Sequence, residues 1–176
     1  MLKQAESGEI EVVYLLGADE IDISKLESTF VIYQGHHGDR GAHIADVILP
    51  GAAYTEKYAT YVNTEGRVQR TNLAVFPPGE AKEDWLIIKN LSQYLGLSLL
   101  YDNLFDVRKK LYTIGPQFRD ADQVVKNKWV PITCDEIKLS NISFTLKKCN
   151  FYMTDSISRA SKIMADCTKD FYEHST

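Results

Sequence analysis

Residues 31–72, VIYQGHHGDRGAHIADVILPGAAYTEKYATYVNTEGRVQRTN, decide how this chain is read. Val31, Ile32 and Tyr33 make a short apolar run of the kind that forms a buried strand. It ends in a loop carrying Gly35, Gly38 and Gly41. A second apolar run, Val47-Ile48-Leu49, stops at Pro50-Gly51. A polar hairpin follows, Tyr61-Val62-Asn63 and Arg67-Val68-Gln69, turned by Thr64-Glu65-Gly66. Glycine at that corner suits a three-residue loop whose last position needs positive φ. Strand, glycine loop and polar residues gathered at strand ends are how an open α/β sheet lines a ligand crevice. Composition leaves open whether that crevice works or is vestigial.

Before this stretch, Glu11 to Gly17 (EVVYLLG) is another continuous apolar run and reads as a buried strand. Asp19 to Lys25 reads as a loop or short helix, and Phe30 to Gln34 as the second strand. Two strands separated by roughly a dozen residues suit a parallel pair with a tight crossover. A buried strand normally has neighbours on both sides, so the first one implies a preceding part of the domain.

After the hairpin, Pro77-Pro78-Gly79 stops the sheet and sets up a helix. Glu80, Glu83 and Asp84 are expected in its first turn, favourable to the positive end of the dipole. Ala81, Trp85, Ile88, Leu91 and Leu95 form one apolar stripe, with Gly96 as cap. A further helix is predicted from Asp102-Asn103 to Gly115-Pro116, burying Leu104, Val107, Leu111 and Ile114. Trp129-Val130-Pro131 and Ile142 to Leu146 read as extended segments, the latter alternating like a half-exposed strand. From Asp155, a candidate N-cap, to Phe171 the spacing of Ile157, Ala160, Met164, Cys167 and Phe171 predicts one helical face.

The 176 residues suit one domain with a real core, and 44% hydrophobic with 25% charged residues is ordinary for a globular chain. A formal net charge of -4 argues against a nucleic-acid surface. No apolar run approaches the length of a bilayer span. The opening MLKQAESGEIEVVYLL, with Glu6, Glu9 and Glu11 behind one lysine, reads as neither a secretory signal nor an Arg-rich transit peptide. Cys134, Cys149 and Cys167 have no C-x-x-C spacing, which fits reduced thiols and excludes an iron–sulfur cluster held by this chain alone.

His36, His37 and His43, with Asp39 and Asp46 nearby, invite a metal reading. Their spacing is not that of two ligands on a helix, and the flanking glycines leave the backbone loose. A polar loop making backbone hydrogen bonds is the better account. Gly35-x-x-Gly38-x-x-Gly41 is neither a dinucleotide nor a Walker loop, so its glycines suit a sharp turn more than a phosphate. Cys167 lies on the apolar face of the last helix and reads as core. Asp46, Glu56 and Glu65 offer no particular acid–base pair. Lys109, Lys110, Lys147 and Lys148 read as solvated faces. For Asn63, Glu65, Arg67 and Gln69 two readings stand: a hairpin held by its own side chains, or an edge facing a pterin or nucleotide. No catalytic, cofactor-binding or metal residue is therefore assigned to this chain.

Three segments together carry a resemblance: Gly35 to Gln69 (GHHGDRGAHIADVILPGAAYTEKYATYVNTEGRVQ), Glu83-Asp84-Trp85 with Ile87-Ile88, and the tail FYMTDSISRAS. They resemble the C-terminal region of the largest iron–sulfur subunits of NADH–ubiquinone oxidoreductase, respiratory complex I, in its mitochondrial form. The likeness covers about Val12 to Val107 and Asn150 to Cys167. It implies an α/β, Rossmann-like fragment of a molybdopterin-oxidoreductase-like domain with a parallel sheet, a polar β-hairpin and a C-terminal helix. Residues 1–115 would belong to that domain, 116–149 to a divergent connection and 150–176 to a helical tail.

In the wider superfamily a pattern like this one lies near the pterin. Its positions here are Ala45 to Pro50, Glu56, Thr60, Asn63, Glu65-Gly66-Arg67 and Gln69, with Ala59 where the pattern has glycine. The mitochondrial form carries no molybdenum cofactor, so the resemblance implies a structural, non-redox role. FMN and iron–sulfur clusters would sit in partner chains. The expected partners are a companion chain or region bearing the clusters of the same subunit, together with other peripheral-arm subunits, on the matrix side of the mitochondrial inner membrane. The chain is about the last quarter of such a subunit, either a fragment of it or the product of a split gene, and the acidic start at Met1 without a presequence suits the split. The alternatives are a C-terminal piece of a molybdenum- and pterin-dependent oxidoreductase, in which Asn63, Arg67 and Gln69 touch the pterin, and a free-standing nucleotide-binding module.

Overall fold

The computed structural model describes residues 2–18, 20–126, 129–131, 141–144 and 150–172. The chain divides into two compact units, Met1–Val124 and Val125–Thr176.

The first unit is built on a parallel sheet in the order β1 (Val12–Leu16), β2 (Phe30–Gly35), β3 (Val47–Pro50). Val13 pairs with Val31 and Leu15 with Tyr33, while Ile32 pairs with Val47 and Gln34 with Leu49. Side chains alternate across a strand, so Val13, Leu15, Val31 and Tyr33 share one face. They form the core there with Ala5 and Leu26, and Ala42 and Ile44 pack against it. The first helix α1 (Leu2–Glu6), the 3-10 turn Ile23–Leu26 and helix α2 (Arg40–Ile44) therefore lie on one side of the sheet. Right-handed crossovers that step one way across a parallel sheet give this result.

Two details set the β2–β3 connection. The Asp46 carboxylate accepts from Val31 N–H at 2.7 Å and its own N–H donates to Val31 O at 2.9 Å, fixing where β3 starts. Tyr33 folds over Gly35, its hydroxyl reaching His37 O at 3.3 Å, and a Cβ on Gly35 would fall within the Tyr33 ring. The stretch read as a glycine loop is partly helical: Gly41 is a buried member of α2, not a turn residue.

The hairpin matches its sequence reading. β4 (Thr60–Val62) and β5 (Val68–Arg70) are antiparallel, and Gly66 holds φ at 84°. The chain then returns beside β3, where Lys82 N donates to Pro50 O at 3.1 Å and Ala52 N to Lys82 O at 2.8 Å.

Helix α3 (Asp84–Tyr94) is shorter than its pattern suggests. Ala81 and Glu80 precede it, Glu83 is the N-cap, and Leu95 is the C-cap and 66% exposed. Its most buried apolar residue is Ile87, because Asp84, one turn earlier, is tied to the sheet and sets the rotation. Gly96, with φ of 69°, closes the helix: Gly96 N donates to Gln93 O and Leu97 N to Ser92 O, a Schellman end. Helix α4 (Leu104–Ile114) is capped by the Asn103 side chain at Asp106 N–H. Leu104, Val107 and Leu111 are half-buried but Ile114 is exposed.

In the second unit, Asp155 caps a helix as expected, accepting from Ile157 and Ser158 N–H. The single long helix is corrected to three pieces: α5 (Ser156–Arg159), α6 (Lys162–Cys167) and a π-turn Thr168–Tyr172. Ser161 is the cause, since its hydroxyl accepts from Met164 N–H and starts a new helix. Trp129-Val130-Pro131 and Ile142 to Phe144 form no strand; Thr145, Leu146, Cys134, Cys149, Lys147 and Lys148 lie outside the described residues. Among the described residues no helix is long and apolar enough to cross a membrane.

Gly35→Ala should force the Tyr33 ring from its seat. A loss of about 1–3 kcal/mol is expected for such overpacking, measured as a lower urea midpoint, with partial recovery in the double variant Tyr33→Leu/Gly35→Ala.

Candidate functional site

In an open parallel sheet the ligand crevice lies beyond the carboxyl ends of the strands. Here that end is occupied by protein side chains. Gln34, near the end of β2, is fully buried. Its amide accepts from the Tyr14 hydroxyl and donates to Asp84 Oδ1 at 2.8 Å. The other Asp84 oxygen takes an ion pair from Lys57, whose side chain is only 15% exposed. Gly51 makes room for this carboxylate: a Cβ there would stand 3.2 Å from Asp84 Oδ1. The four groups thus join β1, β2, the segment after the 3-10 turn Tyr54–Glu56, and the first turn of α3.

Burial first, and the Asp84 carboxylate second, push the Tyr14 phenol above its ordinary range. Burial chiefly, then His37 and Lys57, hold the His36 imidazole below its ordinary value. His36 and His37 meet through their Nδ1 atoms at 2.7 Å, so one ring donates and the other accepts. His43 turns away to Asp39 O at 2.8 Å. Among the described residues no group of three His, Cys, Asp or Glu side chains converges as metal ligands would.

Several of the pattern positions are similarly engaged. Glu56 accepts from Ala53 N–H at 3.0 Å. Asn63 Oδ1 accepts from the N–H groups of Glu65 at 3.1 Å and Arg67 at 3.0 Å. Glu65 Oε2 accepts from Asn63 Nδ2 at 3.2 Å and Arg67 Nε at 3.1 Å, which holds its carboxyl below the usual range. Arg67 also donates to Asp122 O at 2.9 Å. Ala59 N–H, at the glycine position, donates to Thr71 Oγ1 at 3.0 Å. A pterin needs donors and acceptors turned outward into a cleft. Asn63, Glu65 and Arg67 turn theirs largely to one another, while Gln69 is exposed on β5.

Sequence reasoning singled out the hairpin but missed Tyr14, Lys57 and Asp84 as partners of Gln34. The available signal was Gln34 itself, a polar residue inside a run otherwise fit for burial.

Residues 1–94 match the family model for molybdopterin oxidoreductase. The chain belongs to that family. Residues 133–167 match a second model, for the C-terminal region of an NADH-ubiquinone oxidoreductase subunit. The NADH-ubiquinone oxidoreductase 75 kDa subunit of Reclinomonas americana is 50% identical over 158 residues, 89% of this chain and 23% of that protein. The mitochondrial 78 kDa subunit of Candida albicans is 49% identical, over 94% of this chain and 24% of that one. This chain thus spans about a quarter of the length of these relatives. Among solved structures, acetylene hydratase from Pelobacter acetylenicus aligns with a TM-score of 0.47 at 20% identity, over 55% of this chain and 15% of that one. A member of this family with an α/β, parallel-sheet architecture is what the resemblance implies.

Asp84→Ala should leave Lys57 and the Gln34 amide without their acceptor. A loss of about 1–3 kcal/mol is expected for each such stranded group, read as a lower urea midpoint, with Lys57→Met restoring part of it in the double variant. The raised Tyr14 pKa gives a pH signature. Its stabilisation is fully present below the unfolded phenol value of about 10 and is lost as pH rises through the higher folded value. Tyr14→Phe should therefore flatten the alkaline limb of the stability profile.

Proposed function

We propose that this chain is the closing, non-redox portion of the largest iron–sulfur subunit of respiratory complex I. It completes the α/β domain of that subunit on the matrix side of the mitochondrial inner membrane. A companion region or chain carries the subunit's iron–sulfur clusters, and FMN and the remaining clusters lie in other partners. Electrons travel from NADH to ubiquinone through those groups.

One observation carries the reading: identity near 50% to complex I subunits over about nine tenths of this chain. The internal hydrogen bonding at the strand ends supports the non-redox part. Asp84 bonds both Gln34 and Lys57, so these polar groups at the strand ends are turned to one another rather than outward.

On a native gel the chain should co-migrate with NADH dehydrogenase activity, at one copy per flavin, and the band should contain iron but neither molybdenum nor tungsten. Migration apart from that activity would refute the reading, and stoichiometric molybdenum would favour a pterin-dependent oxidoreductase instead.

A further inference from the structure

Among the described residues β1 is an edge strand, and its outer edge points at a definite partner. Glu11 O accepts from Phe30 N–H, and Gly17 N–H donates to Gln34 O. Backbone groups alternate along a parallel strand, so the odd residues 11, 13, 15 and 17 face β2. Val12, Tyr14 and Leu16 consequently turn their N–H and C=O groups to the outer edge. The same residues' side chains lie on the sheet face opposite α1 and α2. There Val12 is 54% exposed, Leu16 49% and the neighbouring Phe30 47%. Parallel sheets are found almost only with both faces covered, and a long apolar edge is an invitation to pair.

Crossover handedness says which side is completed. The steps β1 to β2 and β2 to β3 move one way across the sheet with their connections on the α1 face. A crossover of the same hand ending in α1, which packs on that face through Ala5, would start from a strand beyond the outer edge of β1. The relatives have about three quarters of their length outside the part matched here, ample to supply it.

We propose that the outer edge of β1 and the adjoining Val12–Leu16–Phe30 patch form one docking surface. It is taken by a strand of the companion, cluster-bearing part of the subunit, laid parallel to β1. This deepens the function proposed above and rests on it. The added strand satisfies the Val12, Tyr14 and Leu16 amides, and its flanking apolar residues cover the exposed face.

Hydrogen exchange with residue-level fragmentation, on the intact assembly that co-migrates with NADH dehydrogenase activity, tests this directly. The Val12, Tyr14 and Leu16 amides should exchange at least about 100-fold more slowly than open-chain amides, as ladder amides do. Open-chain exchange at these three positions, in an assembly that does contain the chain, would overturn the docking proposal and leave subunit membership standing. Failure to co-migrate would instead remove the reading beneath it. Protection in an assembly holding two copies of the chain per cluster-bearing region would assign the edge to self-pairing and likewise overturn it. Leu16→Pro removes an outward N–H and leaves the β1–β2 ladder intact. It should reduce incorporation into the assembly at least tenfold, whereas wild-type incorporation would count against the proposal.

Discussion

Asp84 holds the first unit together at the point where an open α/β domain is most exposed to water. Its carboxylate accepts from Gln34 at one oxygen and pairs with Lys57 at the other. The value of such a pair lies less in net stability than in specificity. Lys57 is 15% exposed and Asp84 39%, so the pair is only partly withdrawn from water, and removing Asp84 would strand the more buried Lys57. The arrangement therefore admits few alternatives: α3 must start here and rotate so that Ile87 faces inward. The segment carrying Lys57 must pass over the strand ends, and Tyr14 must stay protonated to donate to Gln34. Local helix propensity has little say in this, which is why α3's buried line differs from the one its apolar spacing suggests.

That difference marks what was legible in the sequence. The three parallel strands announced themselves through continuous runs of β-branched and aromatic residues. Gly66 and Gly96 stand where positive φ is required, and Asn103 and Asp155 cap their helices. All of these are local signals, decided within a few residues. The misread features are those settled by distant contacts or by competition. Leu95 completes a helical stripe on paper, yet the Schellman end at Gly96 puts it outside the helix and into solvent. Ser161 sits in an unbroken helical spacing, yet its hydroxyl competes for a backbone N–H and splits the helix. Gly41 reads as loop and is helix. The clamp between Gln34 and Asp84 spans 50 residues, and no window of the sequence contains both.

The candidate site was half legible for a similar reason. The polar hairpin was visible, and its two readings turn on where Asn63, Glu65 and Arg67 point. In the structure they point at each other. Asn63 Oδ1 and Glu65 Oε2 each accept from two donors within the turn, which fixes its shape. Asp46 behaves alike in the motif before it: a carboxylate beside an expected ligand crevice serves instead to fix strand register through Val31.

The local devices of the first unit are well defined, but the core beneath them is small. The core on the α1 face is small, resting on Ala5, Val13, Leu15, Leu26, Val31 and Tyr33. The opposite face keeps about half of Val12, Leu16 and Phe30 in water. Burial of apolar area is worth roughly 25 cal/mol per Å², so a half-exposed face forgoes a large part of what the sheet offers. Local devices such as caps, a Schellman end and a self-bonded turn fix geometry without enlarging the core. What the core lacks in size they supply as fixed geometry, so the first unit owes its shape to local bonds more than to buried area.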